Sequence, residues 1–174
     1  MRRALDGGVE LDDDPSRIDL EAVHAFISGH SYWGRGRPLE LQQRAIDGSA
    51  SVVGLYRGAE QIGFARAVSD GATVGYLADV YVLPAYRGRG LGLELVREIV
   101  ERGPCARVRW LLHTADAQRL YAKLGFSEGP PMYPLMERAR PSSGERPGGT
   151  GGSAAGAAHR GSVDDPGPST LRRP

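Results

Sequence analysis

The chain has 174 residues, 40% of them hydrophobic, and a formal net charge of +1. That is enough for one domain with a real core; the near-neutral balance argues neither for nor against nucleic acid, but the arginines form no clustered basic face outside residues 86–92, so no nucleic-acid partner is expected. The single cysteine, Cys105, excludes an intrachain disulfide and a cysteine metal cluster, and no stretch approaches the ~20 apolar residues of a bilayer span. Of the 22 basic residues only Lys123 is lysine. The N-terminus lacks an apolar signal core, so a soluble cytoplasmic protein is expected, with no membrane partner.

Residues 1–17 are polar and read as an irregular lead-in. From Ile18 to Gly29, Leu20, Val23 and Ile27 recur at helical spacing behind a capping Asp19. The stretch 30–38, "HSYWGRGRP", is a loop rich in aromatic and cationic groups, and Leu39 to Gly48 reads as a short helix ended by the glycine. "SVVGLYRG" and "QIGFARAVSD" flank a tight turn at Gly58 and form a hairpin, and Asp70-Gly71 marks another turn. Val74 to Leu83, "VGYLADVYVL", is β-branched and aromatic and apolar on both faces, as a central strand covered on both sides should be. Pro84 ends it.

A glycine-rich segment follows, "YRGRGLG" (residues 86–92), and then an amphipathic helix from about Leu91 to Arg102 with Leu91, Leu95, Val96, Ile99 and Val100 on one stripe. Arg107 to Thr114 is a strand. Ala115 to Phe126 is a helix stopped at Gly125. A last strand is expected at Pro131–Ala139, interrupted by Pro134. From residue 141 to 174 the chain is rich in Gly, Pro and Ser with almost no large apolar side chain, and disorder is expected. The order is that of a mixed α/β sheet with antiparallel hairpins and one strand–loop–helix–strand unit.

A strand that ends at a glycine bend and enters a helix is suited to cradle a phosphate. Bare backbone N–H groups approach the anion, and the helix entrance adds unpaired donors. A Walker A loop would need a Gly-Lys-Ser/Thr end, and a dinucleotide fingerprint a G-x-G-x-x-G spacing with an acidic residue ~20 positions on. Neither is present. The pattern [Q/R]-x-x-G-x-[G/A] is, over Arg87 to Gly92. With "LYAKLGF" (residues 120–126) about thirty residues on, the chain resembles the GNAT superfamily of N-acetyltransferases, over about residues 18–137 and most strongly over 74–126, so a GNAT-like domain is expected over residues 18–140.

That resemblance implies a GNAT-like fold: a mostly antiparallel central sheet with a splayed strand pair, flanked by helices. It implies acetyl-CoA as donor cosubstrate, without a metal, and a primary amine on a small molecule or peptide as acceptor, attacked directly in a ternary complex. The pyrophosphate is expected on the backbone amides of Arg87, Gly88, Arg89, Gly90, Leu91 and Gly92. The pantetheine is expected on the bulged strand near Tyr81, Val82 and Leu83, with the N–H near Val82 polarising the thioester carbonyl. Thr114 stands where the family often has a CoA-contacting Asn.

Tyr121 matches the family tyrosine that donates to the leaving sulfur. Asp79, the one ionisable group within the apolar strand, is left open as base, as anchor for the substrate ammonium, or as structural partner of backbone amides at the bulge. Tyr32 and Trp33 are candidates for the acceptor's walls, and Arg35 or Arg37 could hold an acceptor carboxylate. Strand parity does not say which way Arg66 faces. A homodimer would be in keeping with the family. The rival is a non-catalytic acyl-CoA-binding sensor or interaction module, which would need the glycine segment but neither Asp79 nor Tyr121.

Overall fold

The computed structural model describes residues 1–128. The expected last strand at 131–139 and the segment 141–174 lie outside the described residues. Six strands form one sheet in chain order: β1 (Arg2–Leu5), β2 (Val9–Asp12), β3 (Ser51–Arg57), β4 (Glu60–Ser69), β5 (Val74–Val82) and β6 (Arg109–Leu111). Every neighbouring pair is antiparallel except β5 and β6, which run parallel. Among the described residues four α-helices accompany the sheet: α1 (Leu20–His30), α2 (Leu39–Asp47), α3 (Leu91–Arg97), prolonged by a π-helical turn over Glu98–Arg102, and α4 (Gln118–Ala122). None of them is long and apolar enough to cross a membrane.

Residues 1–17, expected to be irregular, instead supply β1, β2 and a short 3-10 turn at Pro15–Arg17. Their polar side chains are engaged rather than idle. Arg2 forks onto Glu10, Arg17 bonds both Glu10 and Asp12, and Arg3 reaches across to Glu94 and to the buried Glu98 of the π-helical turn. A charged edge strand of this kind also discourages pairing with a foreign strand.

The sheet is apolar on both faces. On one, Leu11, Leu55, Ile62 and Leu77 pack beneath Leu95 and Ile99 of the α3 segment. On the other, Val52, Phe64 and Tyr81 pack beneath Val23, Phe26 and Ile27 of α1. Asp19 caps α1 by accepting from the Ala22 N–H at 2.9 Å.

Leu77 and Tyr81 lie four residues apart in one strand and should share a face. They lie on opposite faces. The reason is a bulge in β5. Arg66 pairs with Ala78 and Phe64 with Tyr81, so Asp79 and Val80 together oppose the single residue Ala65. Asp79 takes φ = +52°, the only non-glycine residue with positive φ among the described residues. Aspartate tolerates that left-handed backbone better than most, at a cost of roughly 1–2 kcal/mol. The extra residue reverses the alternation, and Tyr81 thereby stacks on Phe26 with ring centroids 4.0 Å apart.

Candidate active site

β6 pairs with β5 only over Val74–Tyr76. From Leu77 onward no strand among the described residues lies beside β5 on that side, and the two strands diverge around a cleft of about 1130 Å³. That exceeds the ~300–1,000 Å³ typical of small-ligand pockets. Its lining brings together most of the expected site residues: Asp79, Tyr81, Val82, Arg87, Gly88, Gly90, Leu91, Gly92, Thr114 and Tyr121, with Tyr32 and Trp33. Leu83 and Arg89 stand outside that lining. The Arg89 side chain is exposed, with its guanidinium 5.8 Å from the Tyr86 ring centre.

At one end is the glycine bend. Gly88 and Gly90 both have φ = +76°, and a Cβ on either would meet nothing within 4 Å. Gly90 is the N-cap of α3, without a side-chain cap. Among the described residues, the backbone N–H groups of Gly88, Arg89, Gly90, Leu91 and Gly92 find no acceptor. These are five consecutive donors at a positive helix end. Arg87 departs from expectation: its N–H donates to the Pro84 carbonyl, and its Nε donates to the Val82 carbonyl at 2.9 Å.

That last contact bears on β5. The Leu83 N–H donates to the Ile62 carbonyl on the β4 side at 2.8 Å. Alternation then turns the main-chain groups of Val82 toward the cleft. Arg87 occupies its carbonyl, which leaves the Val82 N–H as the main-chain donor there.

Tyr121 lies at the end of α4, buried to 9% exposure, with its ring edge against Phe126. Burial pushes its hydroxyl up to about 12, with smaller contributions from Tyr32, Asp116 and Tyr76. The phenol is therefore protonated throughout the neutral range. Its hydroxyl has no hydrogen-bond partner among the described residues. Thr114 Oγ1 accepts from the Ala117 N–H at 3.0 Å and from the Asp116 N–H at 3.4 Å, so it caps the approach to α4. The helix itself is shorter than the expected 115–126, because the residues before Gln118 are spent on that turn.

Asp79 is the most heavily bonded side chain in the cleft. Its Oδ2 accepts from Arg37 Nη1 and Arg66 Nε, both at 2.6 Å. Its Oδ1 accepts from Arg37 Nη2 at 3.1 Å and from Trp33 Nε1 at 3.2 Å. A carboxylate offers about four lone-pair positions, and all four are engaged. Burial alone would raise its pKa, but Arg37 and Arg66 outweigh burial and hold it below the usual carboxylate range. The partners are side chains, not the bulge amides considered from sequence. With those positions engaged and its pKa lowered, the carboxylate is poorly suited to take a proton from an ammonium.

The loop carrying Trp33 and Arg37 is itself tied down. Ser31 Oγ accepts from the Gly34 N–H, the Gly36 N–H donates to the Ser28 carbonyl, and His24 Nε2 bonds the Arg37 carbonyl. Tyr32 accepts from the Ala115 N–H at 2.8 Å, which links this loop to the start of α4 across 83 residues of sequence. Tyr76 and His113, not among the expected site residues, also line the cleft, the tyrosine hydroxyl 2.8 Å from His113 Nδ1. Arg66 faces the cleft as well, whereas Arg35 and His30 do not line it. The buried Cys105 is likewise absent from the lining.

A mixed sheet whose central strand parts from its parallel neighbour above a glycine-bend helix entrance defines the acyl-transfer class of α/β folds. The chain belongs to the GNAT acetyltransferase family: the model for "Acetyltransferase (GNAT) family" matches residues 19–126. A Gibberella zeae protein named "Putative acetyltransferase FG08082" is 31% identical over 139 residues, 67% of this chain and 77% of that protein. A crystal structure of a GNAT-family protein from Xanthomonas campestris superposes with a TM-score of 0.70 at 40% identity, covering 76% of this chain and 94% of that one. The fold is also shared, at 17% identity and a TM-score of 0.55, with AAC(6')-Iy in complex with the bisubstrate analog CoA-S-monomethyl-acetylneamine, over 75% of this chain and 99% of that one.

Proposed function

We propose that this chain transfers an acetyl group from acetyl-CoA to a primary amine by direct attack, without a covalent acyl-enzyme. The observation that carries this reading is the run of five unpaired N–H groups from Gly88 to Gly92, four of whose residues line the same cleft as a buried, protonated phenol at Tyr121. Bare amides at an uncapped helix entrance fit a diphosphate, whose oxygens accept from several of them at once.

Acetyl-CoA, when bound, supplies a thioester whose C–S bond breaks as the amine's C–N bond forms. Within that frame the Val82 N–H stabilises charge on the thioester oxygen. The Tyr121 hydroxyl gives its proton to the departing sulfur and is restored, through solvent, by the proton that the acceptor nitrogen sheds as it becomes an amide. The acceptor must arrive with a lone pair, so its ammonium proton goes to water, not to Asp79. Asp79 instead fixes the acceptor side: it locks the bulge, Trp33, Arg37 and Arg66 into one unit. Tyr32 and Trp33 form the acceptor's aromatic wall.

The test is paired. Titration calorimetry with acetyl-CoA should show saturable binding, and thiol release from acetyl-CoA across a panel of amines should follow enzyme concentration. Saturable binding with no thiol release from any amine would leave the non-catalytic acyl-CoA sensor standing. Absence of binding would remove both.

A further inference from the structure

Arg66 carries a guanidinium that Asp79 uses only in part. Its Nε donates to Asp79 Oδ2, but neither of its Nη groups has an acceptor among the described residues. Its side chain is 13% exposed, and it lines the cleft. Arg37 differs: both of its Nη groups are bonded, to Asp79 and to Gln42. The cluster holds two guanidiniums and one carboxylate, so it keeps a charge of +1 beside the aromatic wall of Tyr32, Trp33 and Tyr76. The remaining carboxylate in the lining, Asp116, belongs to the turn before α4 and is not bonded to either arginine. A half-used guanidinium facing a cleft is an anion receptor, since its two Nη groups match two oxygens of one carboxylate or phosphate.

We infer that the acceptor is an amine that also carries an anionic headgroup, a carboxylate or a phosphate, and that the Nη edge of Arg66 grips it. This rests on the acetyl-transfer reading and narrows it. The anion lies on Arg66, the intervening carbons lie against Tyr32 and Trp33, and the amine points toward the thioester. A neutral or polycationic amine leaves the Nη edge without its partner, and a polycation is also repelled.

The experiment compares matched pairs with the full chain and saturating acetyl-CoA: β-alanine against β-alaninamide, and phosphoethanolamine against ethanolamine. Values of kcat/KM are corrected to the free-amine fraction of each compound. The anionic member of at least one pair should be favoured roughly 10- to 100-fold. The pair that responds tells carboxylate from phosphate. Arg66→Gln should abolish that preference mainly through KM, Arg66→Lys should restore part of it, and the KM for acetyl-CoA should stay within about threefold. Should Arg66→Gln fail to fold, the wild-type comparison alone decides. Equal or better turnover of the neutral members would overturn the inference and leave acetyl transfer intact. Thiol release with no amine at all would instead strike the reading beneath it.

Discussion

The two ends of the cleft are built on opposite plans. Around Asp79, side chains from β4, β5 and the loop after α1 converge until every carboxylate lone pair is engaged. Around Gly90, side chains are withdrawn and five main-chain donors are left unengaged. The first end invests interactions in its own shape, so its residues should register mostly in stability. The second holds little of itself together, so its residues should register mostly in affinity. Substitutions can break or sharpen that contrast.

The largest effect is expected at Asp79→Ala. Two guanidiniums, with side-chain exposures of 16% and 13%, would lose their counter-charge, and unfolding free energy should drop by roughly 3–5 kcal/mol in urea melts. The pH dependence has a definite sign. The folded-state pKa lies below the unfolded value of about 3.9, so the stabilisation is complete above that pH and fades as pH falls through the folded pKa. Wild type should therefore lose more stability than Asp79→Asn when melts at pH 5 are compared with melts at lower pH. A parallel decline in both proteins would remove the carboxylate from the account.

Tyr121→Phe comes next. Turnover should fall roughly 10²-fold while calorimetry finds acetyl-CoA affinity nearly kept. Because burial holds the phenol near 12, the wild-type rate should climb with the acceptor's own deprotonation and show no falling limb below about pH 11. A descending limb at pH 8–9 would point to a different acid.

Gly90→Ala should be gentler on the fold and harsher on the ligand. The methyl meets no atom within 4 Å, so only the left-handed backbone opposes it, at roughly 1–2 kcal/mol. Its intrusion among the bare amides should weaken acetyl-CoA binding about tenfold or more. If instead the melting temperature collapsed and affinity held, the two ends of the cleft would have exchanged roles.

Much of the frame is legible in the residues. The Asp19 cap, the Gly58 and Asp70-Gly71 turns, and the glycine bend before α3 are each local, and each appears where its chemistry demands. The β1–β2 hairpin is less so. Its Gly7-Gly8 pair, both with positive φ, carries a turn signal, but charged strands mask it. Those charges make sense only once Arg3 is seen to meet Glu94 and Glu98, more than ninety positions away. The acceptor side is hardest. Arg37, Arg66 and Asp79 lie 13 to 42 positions apart, and a bulge reverses strand parity between Leu77 and Tyr81. No periodicity rule reveals that an aspartate will take φ = +52° and so decide which side chains face the cleft.

Trp33 has a further consequence. Its indole stands 42% exposed in the lining of the cleft, its ring nitrogen on Asp79. The chain has only one other tryptophan, Trp110, whose ring nitrogen is buried at β6. The molecule thus carries an intrinsic fluorophore on its acceptor wall, and in a Trp110→Phe background the emission of Trp33 becomes a direct optical gauge of acceptor occupancy, readable without label or turnover.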